Sequence, residues 1–339
     1  MKNPLLLVTC LMACGAAFSQ KTDSAQFYYK KAIEEKKAKR FLVSSNYLSK
    51  AVQFNPRYTE AFLESGFVNL EMRKTDAALS DFKKVAELEP SNTAVVQELM
   101  NLNYSYHQYQ QTLQYAAKCK ACTNSQRMIG LSNFQLGNFG NAIKVLVNVV
   151  DENPKDAESN YALAKSYAEV ENFEESYTYF KKAVQLDATR TKWAYELGNL
   201  YFSHEKYKEA TVYLNKAIDN GFQRNNDINE TIGYAYLFTP EFDKGEKLLL
   251  SVLANKPGNI TILELIADAF YHQKNYDKSI SYWQKIIDIR LKDAKALYQQ
   301  GLCYQKKGEK ERGQELCNKA IDMDPSLSAL RQKKMNVGL

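Results

Sequence analysis

The sequence predicts an all-α fold in which helical hairpins stack into an α-solenoid, and three observations support this prediction. Only 14 of the 339 residues are glycine and 7 are proline, which favours helices over a loop-rich β-protein. Four similar stretches return at intervals of 34, 35 and 34 residues: "ENFEESYTYFKKAV" from 171, "EKYKEATVYLNKAI" from 205, "PEFDKGEKLLLSVL" from 240 and "KNYDKSISYWQKII" from 274. Small and bulky residues also keep fixed positions within the period. Such sustained periodicity is typical of repeat proteins.

The same alignment extends to nine repeats, which together cover residues 20–325. They begin at Ala25, Thr59, Thr93, Thr123, Ala157, Thr191, Asn226, Ile260 and Ala294. Their spacings are 34, 34, 30, 34, 34, 35, 34 and 34 residues, so the third repeat is the short one. A proline closes several repeats: Pro56, Pro90, Pro154, Pro257 and Pro325. Because proline is not tolerated inside a helix, these positions are predicted boundaries between repeats.

Three positions, counted from the first residue of each repeat, predict how the two helices of a repeat pack. Position eight is small in all repeats but the third: Ala32, Gly66, Gly130, Ala164, Gly198, Gly233, Ala267 and Gly301. Position twenty is also small: Ser44, Ala78, Thr112, Ala142, Ser176, Ala210, Gly245, Ser279 and Gly313. Position twenty-four is bulky in most repeats: Leu48, Phe82, Leu146, Phe180, Leu214, Leu249 and Trp283. Small residues allow two helices to cross closely, and the bulky residue is predicted to fill the space between them.

The stretch 193–218, "WAYELGNLYFSHEKYKEATVYLNKAI", carries a known repeat signature at Leu197, Gly198, Tyr201, Ala210 and Ala217. On these residues the chain resembles the tetratricopeptide repeat (TPR) family. The resemblance implies a right-handed superhelix of helix-turn-helix repeats, whose first helices line a concave groove that binds a protein or peptide. The third repeat departs most from the family pattern, with Met100 at the small position and Ala116 at the bulky one.

Helical spacing places positions two, five, nine and twelve of each first helix on one face, which the resemblance makes the groove. Tyrosine recurs on this face, and the charge changes from basic in the middle repeats to acidic further on. For any one tyrosine, packing between adjacent first helices is an alternative to partner binding. The predicted groove residues are Arg127, Tyr161, Lys165, Lys192, Tyr195, Asn199, Phe202, Glu230, Tyr234, Glu264, Asp268, Tyr271 and Tyr298.

The N-terminus, "MKNPLLLVTCLMACGAAFSQK", predicts an exported protein. Its apolar run is too short to span a bilayer and is typical of a signal peptide, which we assign to residues 1–19 with cleavage before Gln20. "LMACG" resembles a lipobox, so a lipid anchor at Cys14 is the alternative. The expected location is therefore the periplasm or the medium, with an outer-membrane lipoprotein as the alternative. At the other end, residues 326–339 predict a capping helix in which Leu327 and Leu330 cover the last repeat.

Outside the predicted signal peptide the chain has four cysteines, two of them in the C-x-x-C of "CKAC". Export permits disulfides. Two states of Cys119 and Cys122 therefore remain open: a disulfide bond between them, or two half-buried thiols. Cys317 occupies the bulky core position, which predicts a buried thiol. A disulfide with Cys303 is the alternative, because Cys303 lies in the same repeat.

The sequence gives no indication of catalysis or of a cofactor. Its three histidines, His107, His204 and His272, have neither H-E-x-x-H nor metal-ligand spacing, and no phosphate-binding or nucleophile-elbow motif occurs. The densest basic run, at 30–40, is interrupted by two glutamates and predicts a solvated helix face rather than a nucleic-acid site. No other stretch is long and apolar enough to cross a membrane.

We therefore expect an exported, non-enzymatic TPR scaffold that binds a protein or peptide, in envelope assembly or secretion. Two alternatives remain at this point. The first is a structural spacer or self-assembling repeat protein. The second is an accessory subunit of an enzyme complex.

Overall fold

The computed structural model describes residues 23–119 and 122–329, and every regular element in these residues is a helix. The N-terminal segment with the predicted signal peptide and Cys14 lies outside the described residues, as does Leu330. The contacts divide the chain into two compact units, with the boundary between Tyr179 and Phe180. In each unit, consecutive helical hairpins pack on one another. The predicted all-α repeat solenoid is thus confirmed.

Each repeat contributes one antiparallel pair of helices. The first helices of the nine repeats are α1 (23–37), α3 (Thr59–Glu71), α5 (Thr93–Ser105), α7 (Ser125–Gln135), α9 (Ala157–Glu169), α11 (Thr191–Ser203), α13 (Asn226–Tyr236), α15 (Ile260–His272) and α17 (Ala294–Lys307). The second helices are α2 (Phe41–Phe54), α4 (Thr75–Leu88), α6 (Tyr109–Lys118), α8 (Phe139–Glu152), α10 (Phe173–Leu186), α12 (Tyr207–Asp219), α14 (Phe242–Asn255), α16 (Tyr276–Ile289) and α18 (Lys310–Met323). No helix among the described residues has the length and apolarity that a membrane span requires.

The small residues mark the place where the two helices of a repeat cross. In the eighth repeat, the Ser279 hydroxyl donates a hydrogen bond to the Ala267 carbonyl oxygen over 2.7 Å, and in the first repeat Ser44 bonds Ala32 in the same way over 2.8 Å. A Cβ atom added to Gly245 would lie 2.6 Å from the Gly233 carbonyl oxygen. Since that distance is shorter than real Cβ contacts, the backbones leave no room for a side chain there.

The bulky residue at position twenty-four lies directly over the small residue at position eight. A Cβ atom on Gly66 would lie within 2.4 Å of the Phe82 ring, and one on Gly198 would lie 2.6 Å from Leu214. Trp283, the largest residue at this position, is only 1% exposed. These contacts confirm the packing that the periodic pattern predicts.

The short third repeat exchanges the sizes of these two positions. Met100 replaces the small residue and Ala116 replaces the bulky one, and both side chains are buried. A large residue from the first helix therefore stands in for the one that the second helix normally supplies. Volume-conserving exchanges of this kind are the ones that cores tolerate best.

The turn between the two helices has a conformation that the sequence does not reveal. Position fifteen has positive φ in eight repeats, at Lys39, Arg73, His107, Gly137, Glu171, Glu205, Lys274 and Gly308. After the left-handed residue Lys274, for example, the Asn275 N–H donates to the Phe270 carbonyl oxygen over 2.9 Å, which is the closing bond of a Schellman motif. In the seventh repeat this position is Pro240, whose ring excludes positive φ.

At the C-terminus, residues Pro325–Leu327 form one turn of 3-10 helix. Leu327 is buried there against Tyr298, Cys317 and Ala320. The last described residues therefore cover part of the apolar face of the ninth repeat.

Candidate functional site

The predicted groove residues lie on the first helices, and the two compact units are described separately. The N-terminal unit contains Arg127 on α7 and both Tyr161 and Lys165 on α9. The Tyr161 ring packs edge-on against Phe134, with 6.2 Å between ring centroids. This tyrosine therefore contributes to the contact between adjacent first helices, the alternative that the sequence left open.

The guanidinium group of Arg127 holds two repeats together. It lies 2.5 Å from a carboxylate oxygen of Asp156 and 2.6 Å from one of Glu158. Asp156 also accepts a hydrogen bond from the Ser159 N–H at the start of α9. Partial burial raises the pKa of Asp156, but hydrogen bonds from Arg127 and Ser159 outweigh this effect and hold the pKa below its ordinary value. Arg127 is thus committed to an ion pair between repeats.

The C-terminal unit contains the other predicted groove residues. The prediction for Tyr298 is wrong, because this residue is not on the groove surface. Tyr298 is 3% exposed and packs in the core of the ninth repeat. The reason is its position near the end of the array, where Leu327 covers it. Tyr195 is half-buried, and its ring stacks on Phe222 at 4.5 Å. Asn199 is also half-buried, whereas Lys192 is exposed and lies 3.7 Å from Glu196.

Further along this face, α15 carries two acidic groove residues and one aromatic. Glu264 forms an ion pair with Lys295 of α17 at 3.2 Å. Asp268 keeps contact with solvent, but desolvation by the surrounding protein raises its pKa, against the opposing charges of Lys295 and His272. Tyr271 packs edge-on against Tyr276 with 5.7 Å between centroids.

Three first helices, α11, α13 and α15, enclose a cleft of about 500 Å³, which we call the acidic cleft. It includes three of the predicted groove residues. Its lining consists of Phe202, Asp227, Glu230, Thr231, Tyr234 and Leu265. Of the other three, Asp227 is at position two of the predicted face, whereas Thr231 and Leu265 are at position six, which lies between the positions assigned to the face. The volume is within the range of side-chain and small-molecule sites.

An aromatic cluster forms one wall of the acidic cleft. The Phe202 and Tyr234 rings are 5.3 Å apart at an interplanar angle of 65°. Tyr234 also contacts Phe238 at 5.0 Å and Tyr207 at 5.9 Å. Desolvation, together with Tyr234, raises the pKa of Tyr207 to about 12, so its hydroxyl stays protonated at neutral pH. The aromatic wall therefore carries no charge at neutral pH.

The four cysteines outside the N-terminal segment are in two different states. Cys119 and Cys122 form a disulfide at the end of the short third repeat, which is one of the two states that the sequence left open. Cys303 and Cys317 are buried free thiols. Burial raises the pKa of Cys303 to about 11, and Ser279 lies within hydrogen-bond distance of its sulfur. A thiol with this pKa is a poor nucleophile at neutral pH.

Metal ligands do not come together in the described part of the chain. No group of three or more histidine, cysteine, aspartate or glutamate side chains could hold a metal ion there. His107, one of the three histidines, occupies a left-handed turn position between helices and interacts with Tyr109.

We expect Arg127→Met to lower the stability of the N-terminal unit by about 1–2 kcal/mol at neutral pH, because it leaves the half-buried Asp156 without its cation. Since the folded-state pKa of Asp156 is lowered, its stabilising effect is present above about pH 4 and is lost as the pH falls through the lowered value. The difference between variant and wild type should therefore shrink in acid.

Urea unfolding at neutral and acidic pH measures this difference. Lys84→Met is the matched control, because Lys84 pairs with Glu87 on the exposed surface of α4 and should change stability by less than about 0.5 kcal/mol. Equal losses for both variants, or a difference independent of pH, would contradict the assignment of Arg127.

Comparisons with known proteins agree with the repeat architecture. Family models described as tetratricopeptide repeat match residues 127–191 and 294–327. The second match begins at Ala294, the predicted start of the ninth repeat.

Several solved structures also resemble parts of the chain. YrrB, described as a TPR protein with an unusual peptide-binding site, is 24% identical over 57% of this chain and 100% of its own, with a TM-score of 0.40. MamA is 26% identical over 49% of this chain and 97% of its own, with a TM-score of 0.38. A tetratricopeptide repeat protein from Parabacteroides merdae is 14% identical over 73% of this chain and 99% of its own, with a TM-score of 0.45. With two family matches inside its array of helix-turn-helix hairpins, the chain contains tetratricopeptide repeats at residues 127–191 and 294–327.

Proposed function

We propose that this protein is an interaction scaffold that binds a protein or peptide in the acidic cleft. The observation that carries the proposal is the cleft itself, an open concavity of about 500 Å³ on the first-helix face. The lining of the cleft combines packed aromatic rings with two carboxylates. Aromatic side chains with polar neighbours are enriched in the centres of protein interfaces.

The surrounding repeats support this choice of site. Elsewhere on the same face, Tyr195 is stacked on Phe222 and Glu264 is paired with Lys295. These side chains are satisfied within the chain, whereas the cleft is open to an outside group. Stacked repeats also make a rigid support, so a partner meets a largely preformed surface.

Site-specific photocrosslinking in native cells tests the proposal. A benzoylphenylalanine in place of Thr231, inside the cleft, should give a covalent adduct with a specific protein. The same residue in place of Val212, which is 56% exposed on the second helix α12, is the control. Identical adducts from both positions, or none from Thr231, would contradict binding in the cleft.

We also propose that the protein is exported and acts in the cell envelope or in secretion. The short apolar N-terminal run supports this proposal, and so does the disulfide between Cys119 and Cys122, because disulfides persist mainly in oxidising compartments. The intact mass of the native protein should correspond to a chain that begins at Gln20. A chain that begins at an acylated Cys14 would instead identify a lipoprotein, and an uncleaved chain from Met1 would overturn export.

A further inference from the structure

We infer that the acidic cleft selects a lysine or arginine side chain of its partner. This inference rests on the proposed function, since it specifies what the cleft recognises. It concerns Asp227 and Glu230 on α13, together with the aromatic wall beside them.

Among the described residues the two carboxylates have no cation partner, in contrast to two other carboxylates on the first helices of this unit. On the same face of the C-terminal unit, Glu264 pairs with Lys295 and Glu196 lies 3.7 Å from Lys192. Asp227 and Glu230 form no ion pair within the part of the chain that the structure describes, yet both line the cleft. The fold thus pairs Glu264 and Glu196 with lysines and leaves Asp227 and Glu230 available to a cation from outside.

Their spacing suits a single extended basic group. Residues three apart on a helix lie on one face, about 5–6 Å apart at their Cβ atoms. One guanidinium or ammonium group can therefore approach both carboxylates at once. An arginine presents five N–H donors in a planar fork, which fits carboxylate geometry well.

The aromatic wall accounts for the rest of such a side chain. Lysine and arginine bury an aliphatic stem while the charged end keeps polar contacts. Phe202, Tyr234 and Leu265 offer an apolar surface for that stem. A cation close to the face of an aromatic ring gains a further attraction.

Other ligand chemistries fit the cleft less well. An apolar segment would remove water from two carboxylates without replacing their hydrogen bonds, which is costly. An acidic segment would add like charge. A calcium ion takes six to eight oxygen ligands, and the described residues contain no group of three or more candidate ligands.

A set of three matched peptides tests the inference on the full-length protein. The peptides carry fluorescein on the N-terminal amine and an amide at the C-terminus, with the sequence Gly-Ser-Leu-Xaa-Leu-Ser-Gly, where Xaa is arginine, norleucine or glutamate. Fluorescence anisotropy at low salt measures their dissociation constants. We expect the arginine peptide to bind about tenfold more tightly than the norleucine peptide, with the glutamate peptide weakest.

Two double variants with the same change in net charge assign the effect. Asp227→Asn with Glu230→Gln should abolish the preference for arginine, because neither side chain then carries a charge. Glu209→Gln with Asp219→Asn, both exposed on α12, should retain the preference. Thermal unfolding by circular dichroism checks that each variant is folded.

The outcomes separate this inference from the proposed function. Equal binding of arginine and norleucine peptides, or a preference that survives in the Asp227→Asn, Glu230→Gln variant, overturns the inference; adducts from position 231 would still support a binding cleft. Failure of all three peptides to bind also overturns it. If position 231 then gives no adduct either, the proposed function fails as well.

Discussion

The two helices of each repeat cross at a distance that only small residues allow, and the other features of the structure depend on this contact. At Gly245 the backbone of the neighbouring helix occupies the place of a side chain. At Ser279 the only polar atom of the side chain is used to bond the carbonyl oxygen of Ala267. The close crossing leaves a gap in the repeat, which the residue at position twenty-four fills in every repeat but the third, where Met100 takes its place. Because every repeat solves the same packing problem, these positions recur along the chain.

The periodic part of the sequence therefore predicts the fold well, down to the contact between Gly198 and Leu214. The turns are less predictable, because six of the eight left-handed residues at position fifteen are not glycine. Lys274 and Glu171 carry no sequence signal for positive φ, although the residue after each of them donates the hydrogen bond that closes the preceding helix. The exchange of sizes between Met100 and Ala116 looks like a loss of the pattern in sequence, but both side chains are buried.

The candidate site was only partly predictable, since helical spacing gives the face of a residue but not its partners. Phe202, Glu230 and Tyr234 line the cleft, in agreement with their predicted place on the exposed face of the first helices. Arg127 lies on the same predicted face, yet its charge is used between repeats. Tyr298 is buried because a segment beyond the ninth repeat covers it. Such differences arise from contacts between repeats, which a pattern within one repeat does not contain.

Under the proposed function, the helix crossing and partner recognition depend on different residues of the same repeat. The seventh repeat shows this division most clearly, because Gly245 serves the helix crossing and Glu230 lines the acidic cleft. An apolar aromatic wall beside unpaired carboxylates gives no benefit to the crossing itself. This arrangement supports the proposal that the acidic cleft serves an outside partner rather than the fold.

The urea-unfolding midpoints of Gly245→Ala and Glu230→Gln test this division most directly. The added methyl group of Gly245→Ala meets main-chain atoms of Gly233 and Leu237 and should lower stability by about 1–3 kcal/mol. Glu230→Gln should change stability by less than about 0.5 kcal/mol. Equal losses in the two variants, or an unchanged midpoint for Gly245→Ala, would contradict the account.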